Sequence, residues 1–90
     1  MIDGQDYKRL LHIHRMKSTK PRNAVLSVLG EKDCALTAEE IYRVLVQKGD
    51  GVNFSTVYRV LELFAEKRLV TKTFFSDSRS YGFSLKTAEH

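Results

Sequence analysis

The stretch from Thr37 to Arg68 narrows the possible folds more than any other part of the chain. Thr37-Ala38-Glu39-Glu40 has the form of a capping box, in which the Thr37 hydroxyl serves the third helical N–H while Glu40 reaches back to the cap. Ala38, Ile41, Val44 and Leu45 follow on one face, and Gly49 ends the run because it accepts a left-handed conformation. After the tight Lys48-Gly49-Asp50-Gly51 connection, Asn53 caps a further helix whose inner face is Val57, Val60, Leu61 and Phe64. The spacing predicts helices over 37–48 and 54–67, the layout of a helix-turn-helix unit.

The flanks complete the pattern. Tyr7, Leu10, Leu11 and His14 recur at helical spacing and predict a helix over 5–15. Ser18 and Thr19 can cap a second helix, Pro21 fits its first turn, and Ala24, Val25, Val28 and Leu29 form its apolar stripe over 19–30. Val70 to Phe75 and Ser80 to Leu85 are rich in β-branched and aromatic residues and are separated by Ser76-Asp77-Ser78-Arg79, which predicts an antiparallel hairpin over 70–85. Tyr81, Phe83 and Leu85 alternate with Gly82 and Ser84, so the first set is expected to lie on the helices and the second to face water. The expected class is mainly α with a small antiparallel β-hairpin (α+β). The order of elements is that of a winged helix-turn-helix, one domain over 1–90.

Charge is unevenly spread. Residues 1–30 carry six Lys/Arg against two Asp, 31–66 carry four against seven acids, and 67–90 carry five against two. Two basic ends flank an acidic middle, and a pI near 9.4 favours a polyanionic partner. Cys34 is the only cysteine, which excludes an intrachain disulfide and any zinc-finger spacing. No apolar stretch approaches a membrane span or a signal-peptide core, so a cytoplasmic location is expected. No Ser/His/Asp set, Cys/His pair, Gly-rich phosphate loop or glycosidase-like carboxylate pair stands out, and an enzyme is not expected.

If Val57, Val60, Leu61 and Phe64 face inward, Ser55, Thr56, Tyr58, Arg59 and Glu62 face outward. Arg59 can donate in fork geometry to guanine or phosphate, Tyr58 can set its ring against a thymine methyl, and Ser55 and Thr56 can bond phosphate oxygens. Arg15, Lys17, Lys20 and Arg22 cluster around the start of the second helix, where side-chain charge and free backbone N–H groups act together on phosphates. Lys17, in the link, is a candidate for a narrow A·T-rich minor groove. Lys72 and Arg79 are the corresponding wing candidates for phosphate. His12 and His14, two apart on a helix, point to different sides and cannot share one ion. The competing reading is a winged helix that binds protein, using Phe54, Tyr58 and the acidic middle.

Four segments resemble the ferric uptake regulator family: Ser18-Thr19-Lys20-Pro21-Arg22, Leu36-Thr37-Ala38-Glu39-Glu40-Ile41-Tyr42, Ser55-Thr56-Val57-Tyr58-Arg59-Val60-Leu61, and Leu69-Val70. The resemblance implies a repressor loaded by iron, zinc, manganese or another signal, bound to A·T-rich palindromic operators of metal-uptake or stress genes. It implies that Tyr58 and Arg59 touch bases and that Lys17 enters the minor groove. It also implies a carboxy-terminal metal-binding and dimerisation half that this sequence does not contain. The expectation is therefore a monomer in isolation and a homodimer in the full-length protein. Two departures bear on metal. Ala35 stands where the family commonly has a histidine, and Ser84 where an acidic ligand often sits. His90 falls at the start of the family's histidine-rich segment and is at most a partial ligand. No complete metal site is expected in this chain.

Overall fold

The computed structural model describes residues 4–32 and 34–85. Its elements run α1 (Gly4–Ile13), α2 (Lys20–Glu31), β1 (Leu36–Thr37), α3 (Ala38–Lys48), α4 (Phe54–Glu66), β2 (Val70–Phe75) and β3 (Ser80–Leu85). The helix starts are set locally. Thr37 accepts from the Glu40 N–H at 3.1 Å while the Glu40 carboxylate accepts from the Thr37 N–H at 2.9 Å, closing the capping box. Asn53 accepts from the Thr56 N–H at 2.9 Å, and Thr19 accepts from the Arg22 N–H at 3.3 Å.

Three helices end in the same way. Arg15 (φ +61°), Gly49 (φ +73°) and Arg68 (φ +66°) take left-handed conformations. The residue after each then bonds back five positions: Met16 to Leu11, Asp50 to Leu45 and Leu69 to Phe64, at 2.8 to 3.1 Å. This is the Schellman closure, which satisfies carbonyls that the helix leaves free. In α1 and α4 an arginine holds the position where glycine is the usual occupant. A buried apolar residue follows each of them, Met16 and Leu69.

The helical stripes meet in one core. Leu11, Val25, Leu26, Val28, Ile41, Leu45, Val57, Leu61, Phe64 and Phe83 are fully buried, and no described polar or charged side chain joins them. Each such side chain contributes roughly 1.5–3 kcal/mol relative to exposure.

The sheet departs from the expected hairpin. It has three strands in the order β1-β3-β2, all antiparallel, because Leu36 pairs with Phe83 and Thr37 with Gly82. Two residues are too short a run to register in the sequence, and they become a strand only because β3 offers a free edge. The facing of β3 also differs from expectation. Phe83 is buried, but Tyr81, on the same face, is 49% exposed because it lies toward the turn. Gly82 is buried rather than open to water. The Phe75 ring crosses it, and a Cβ there would clash with that ring and crowd Ala35 at 3.1 Å.

Candidate nucleic-acid interface

The α4 helix is buried along Val57, Val60, Leu61 and Phe64, which leaves Ser55, Tyr58 and Arg59 on the outside and Thr56 half-buried at the first turn. The side chain of Asn53 closes this end, and Gly51 (φ +70°) makes the turn into it. Ser55 and Thr56 therefore sit beside backbone N–H groups of a helix start, where partial positive charge favours anions.

Tyr58 is 46% exposed, and one side of it is occupied by another ring. Its ring lies near that of Phe54, one turn earlier, with centroids 6.4 Å apart and planes inclined by 29°. Phe54 in turn meets Tyr42 of α3 edge-on at 5.7 Å. Such pairs prefer offset and edge-to-face arrangements. The row of rings joins the two helices of the helix-turn-helix unit on their outer side. The i, i+4 spacing of Phe54 and Tyr58 was the available sequence signal for half of it; Tyr42 had none.

The next residue of that row is Glu62, and it reaches the wing. Its carboxylate accepts from Lys72 Nζ at 2.9 Å, and the same ammonium lies 4.5 Å above the Tyr81 ring and 5.9 Å from that of Phe83. The Lys72 hydrogen bond holds the Glu62 carboxyl below its ordinary pKa against an opposing effect of burial, with the Tyr58 hydroxyl adding to the lowering. Lys72 is correspondingly held above its usual value, first by the hydrogen bond it donates to Glu62. Of the two wing candidates, then, Lys72 is engaged. Arg79 is exposed at the tip, in a left-handed conformation (φ +53°). Phe74 and Tyr81 extend the wing's exposed aromatic surface, with centroids 5.2 Å apart.

A second basic group lies at the α1–α2 link. Arg15, Lys17 and Lys20 are exposed, and Arg22 is half-buried because its guanidinium donates to the Lys17 carbonyl at 3.0 Å. Asn23 donates to Ser18 Oγ at 2.7 Å and to the Thr19 carbonyl at 2.8 Å. These bonds fasten the link to the start of α2, so the lysine side chains project from an ordered backbone.

The described residues do not fit a regulatory metal. Among the described residues no three His, Cys, Asp or Glu side chains gather where an ion could sit. His14 is half-buried, with Nδ1 2.9 Å from the Leu10 carbonyl, and His12 is exposed. Ala35 packs toward Gly82, and Ser84 shares the face of β3 with that glycine, so neither departure from the family pattern is replaced by a ligand nearby. His90 lies outside the described residues.

Residues 14–90 match the model of the ferric uptake regulator family. The chain belongs to that family. It is 38% identical over 76 residues to the ferric uptake regulation protein of Vibrio parahaemolyticus, covering 83% of this chain and 50% of the relative. The chain thus spans about half the length of the curated relatives it matches. Among solved structures it resembles the ferric uptake regulator of Vibrio cholerae, described as showing rearrangement of its DNA-binding domains. There the TM-score is 0.84 and the identity 34%, over 92% of this chain and 63% of that one. It also resembles the Pseudomonas aeruginosa regulator solved with manganese, at a TM-score of 0.83 and 31% identity, over 91% of this chain and 61% of that one. The fold is the winged helix of this family's DNA-binding domains. Ferric uptake regulators are metal-responsive transcription regulators, not enzymes. No helix among the described residues is long and apolar enough to cross a membrane.

Proposed function

We propose that this chain reads double-stranded DNA sequence, with α4 in the major groove and α3 bracing it against the backbone. The observation that carries the reading is the outward placement of Tyr58 and Arg59 on a helix whose opposite side is the core. Arg59 serves a guanine edge or a phosphate, Tyr58 a thymine methyl, and Ser55 and Thr56 the first phosphates or bases met by the helix start. Lys17 enters an A·T-rich minor groove, and Arg15, Lys20, Arg22 and Arg79 hold phosphates.

The target in this reading is an A·T-rich palindrome. The chain is a monomer in isolation that occupies half-sites in pairs, and the full-length regulator is a cytoplasmic homodimer that represses metal-uptake or stress genes. Iron, zinc or manganese would be sensed by that full-length protein, not by the described residues of this chain.

The test is fluorescence anisotropy of the chain on a labelled A·T-rich palindrome and on a scrambled duplex of equal composition, at two salt concentrations. Tighter, salt-sensitive binding to the palindrome supports the reading. Arg59→Ala should cost about 1–3 kcal/mol at one base position, whereas Lys20→Ala should weaken binding to all sequences and flatten the salt slope. Equal losses on both duplexes for both variants would refute the assignment. A second reading draws on the exposed rings of Phe54, Tyr58 and Tyr81, which line a groove of about 500 Å³ between α4 and the wing. A protein partner seated there would be nearly indifferent to salt, unlike phosphate.

A further inference from the structure

Three attractions converge on Lys72. The Glu62 carboxylate accepts a hydrogen bond from its ammonium at 2.9 Å, the Tyr81 ring lies 4.5 Å below it, and the Phe83 ring is 5.9 Å away. Glu62 and Lys72 are ten positions apart, on α4 and β2, so the pair spans the joint between helix and wing. Lys72 also pairs with Phe83 in the sheet register, which places it on the face of the wing turned toward the helices. An ammonium held there is neutralised next to the surface that would meet DNA. Arg79, at the wing tip, has no such partner among the bonds and ion pairs described.

We propose that Glu62 is a positioning residue for DNA discrimination, fixing the wing to α4 and withholding the Lys72 charge from phosphate. The inference rests on the DNA-binding reading above and deepens it. Phosphate contacts are made alike on every sequence, so each one added raises affinity for random DNA as much as for the target. An acidic residue facing a polyanion also repels it directly. With Lys72 paired, that cost is cancelled and the chain gains no non-specific contact. Discrimination is then left to the side chains beside Glu62, Tyr58 and Arg59. Charge count alone would number Lys72 among the phosphate contacts; the geometry assigns it to the protein.

The experiment measures the salt slope of binding to the A·T-rich palindrome and to the scrambled duplex for the wild-type chain, Glu62→Gln, and the double variant Glu62→Gln/Lys72→Gln. Circular dichroism confirms that each variant is folded. In Glu62→Gln the released lysine should add one phosphate contact, steepening the slope by about 0.9. Across a fourfold change in salt that is an extra factor of about 3.5 in affinity. The added contact should tighten binding to the two duplexes alike, while the loosened joint between wing and α4 takes back part of the gain on the palindrome, so the scrambled duplex should gain more; the double variant should return to the wild-type slope.

A double variant that keeps the steeper slope would overturn the inference, because the gain would then be the loss of Glu62 repulsion alone. A double variant shallower than wild type by about 0.9 would also overturn it, since Lys72 would already be spending its charge on phosphate. If the wild-type chain binds neither duplex in a salt-dependent way, the DNA-binding reading itself fails and this inference falls with it. Wild-type binding with an unmoved Glu62→Gln slope overturns the inference and leaves the reading standing.

Discussion

Asn53 offers a way to separate the folding of α4 from its proposed contact with DNA. The Asn53 side chain accepts one hydrogen bond, from the Thr56 N–H at 2.9 Å, in the extended backbone geometry that suits a cap (φ −88°, ψ 165°). Asn53→Ala removes that acceptor and leaves an N–H at the first turn to be served by water. The cost expected for such a cap is about 1 kcal/mol. For a domain of this size that lowers the thermal midpoint by about 4–8 °C. Asn53→Asp keeps the acceptor and sets a negative charge at the helix start, worth about 0.3–1 kcal/mol in favour of the helix. Stability should therefore hold or rise in the aspartate variant. DNA affinity should move the other way. A unit negative charge near a phosphate in water is worth about 1 kcal/mol of repulsion, or about fivefold in affinity, and salt should weaken the effect. Thermal denaturation by circular dichroism and anisotropy on the palindrome measure the two quantities on the same samples. Aspartate binding DNA as tightly as asparagine would refute the placement of this helix start against the backbone. An alanine variant with an unmoved midpoint would refute the role of the cap.

The other predictions concern packing, turns and pH. Phe64→Ala, at a fully buried position, should cost about 3–5 kcal/mol. For a chain of this length the total stability is about 5–13 kcal/mol, so urea titration should find the variant near or past its folding limit. Arg68→Gly relieves a left-handed arginine and should raise stability by about 0.5 kcal/mol, the strain relieved being larger than the freedom gained by the unfolded chain. Gly49→Ala, whose Cβ would meet nothing within 4 Å, should lower stability by about as much for the mirror reason. Two shifts of the same sign would refute the conformational argument. The Glu62–Lys72 pair sets a pH window. The Glu62 pKa is depressed on folding, so its contribution is present above the unfolded carboxylate value and is lost as pH falls through the lower folded value. The Lys72 pKa is raised, so its contribution is present below the unfolded lysine value and is lost as pH rises through the folded one. Denaturation of wild type and Glu62→Gln across pH should show a constant difference near neutrality that narrows at both extremes.

Features encoded within a few residues were legible in the sequence. The Thr37 box, the Asn53 cap and the Gly49 terminus each depend on side chains three or four positions apart, and each stands where that spacing put it. The inner stripe of α4 was legible for the same reason, since period alone assigns Val57, Val60, Leu61 and Phe64 to one face. Turns closed by tertiary contact were not. Arg15 and Arg68 end helices in the conformation usually reserved for glycine, and what holds them is the burial of Met16 and Leu69 just beyond. The expected α1 accordingly ran two residues too far, to 15 instead of Ile13. In the candidate site, the outward facing of Tyr58 and Arg59 was legible. The bracing of Tyr58 through Phe54 to Tyr42 and the capture of Lys72 by Glu62 were not, because their partners lie on other elements.

The sheet order explains why so small a wing can be held firmly to the helix-turn-helix unit. β1 runs directly into α3, and Thr37 is at once the last residue of the strand and the cap of the helix. β2 follows α4 after a Schellman turn, and Glu62 ties it back by an ion pair. Both helices are thereby anchored to outer strands, and β3 bonds to both strands from between them. The pairing of Thr37 with Gly82 brings the α3 cap to a position on β3 without a side chain, and the Phe75 ring from β2 fills the space above it. Motion of the wing relative to α4 would thus have to break the β1–β3 ladder as well as the Lys72 contacts. A surface made of two elements binds at lower entropic cost when their relation is fixed beforehand. That is the physical reason for a strand of only two residues to be part of the fold.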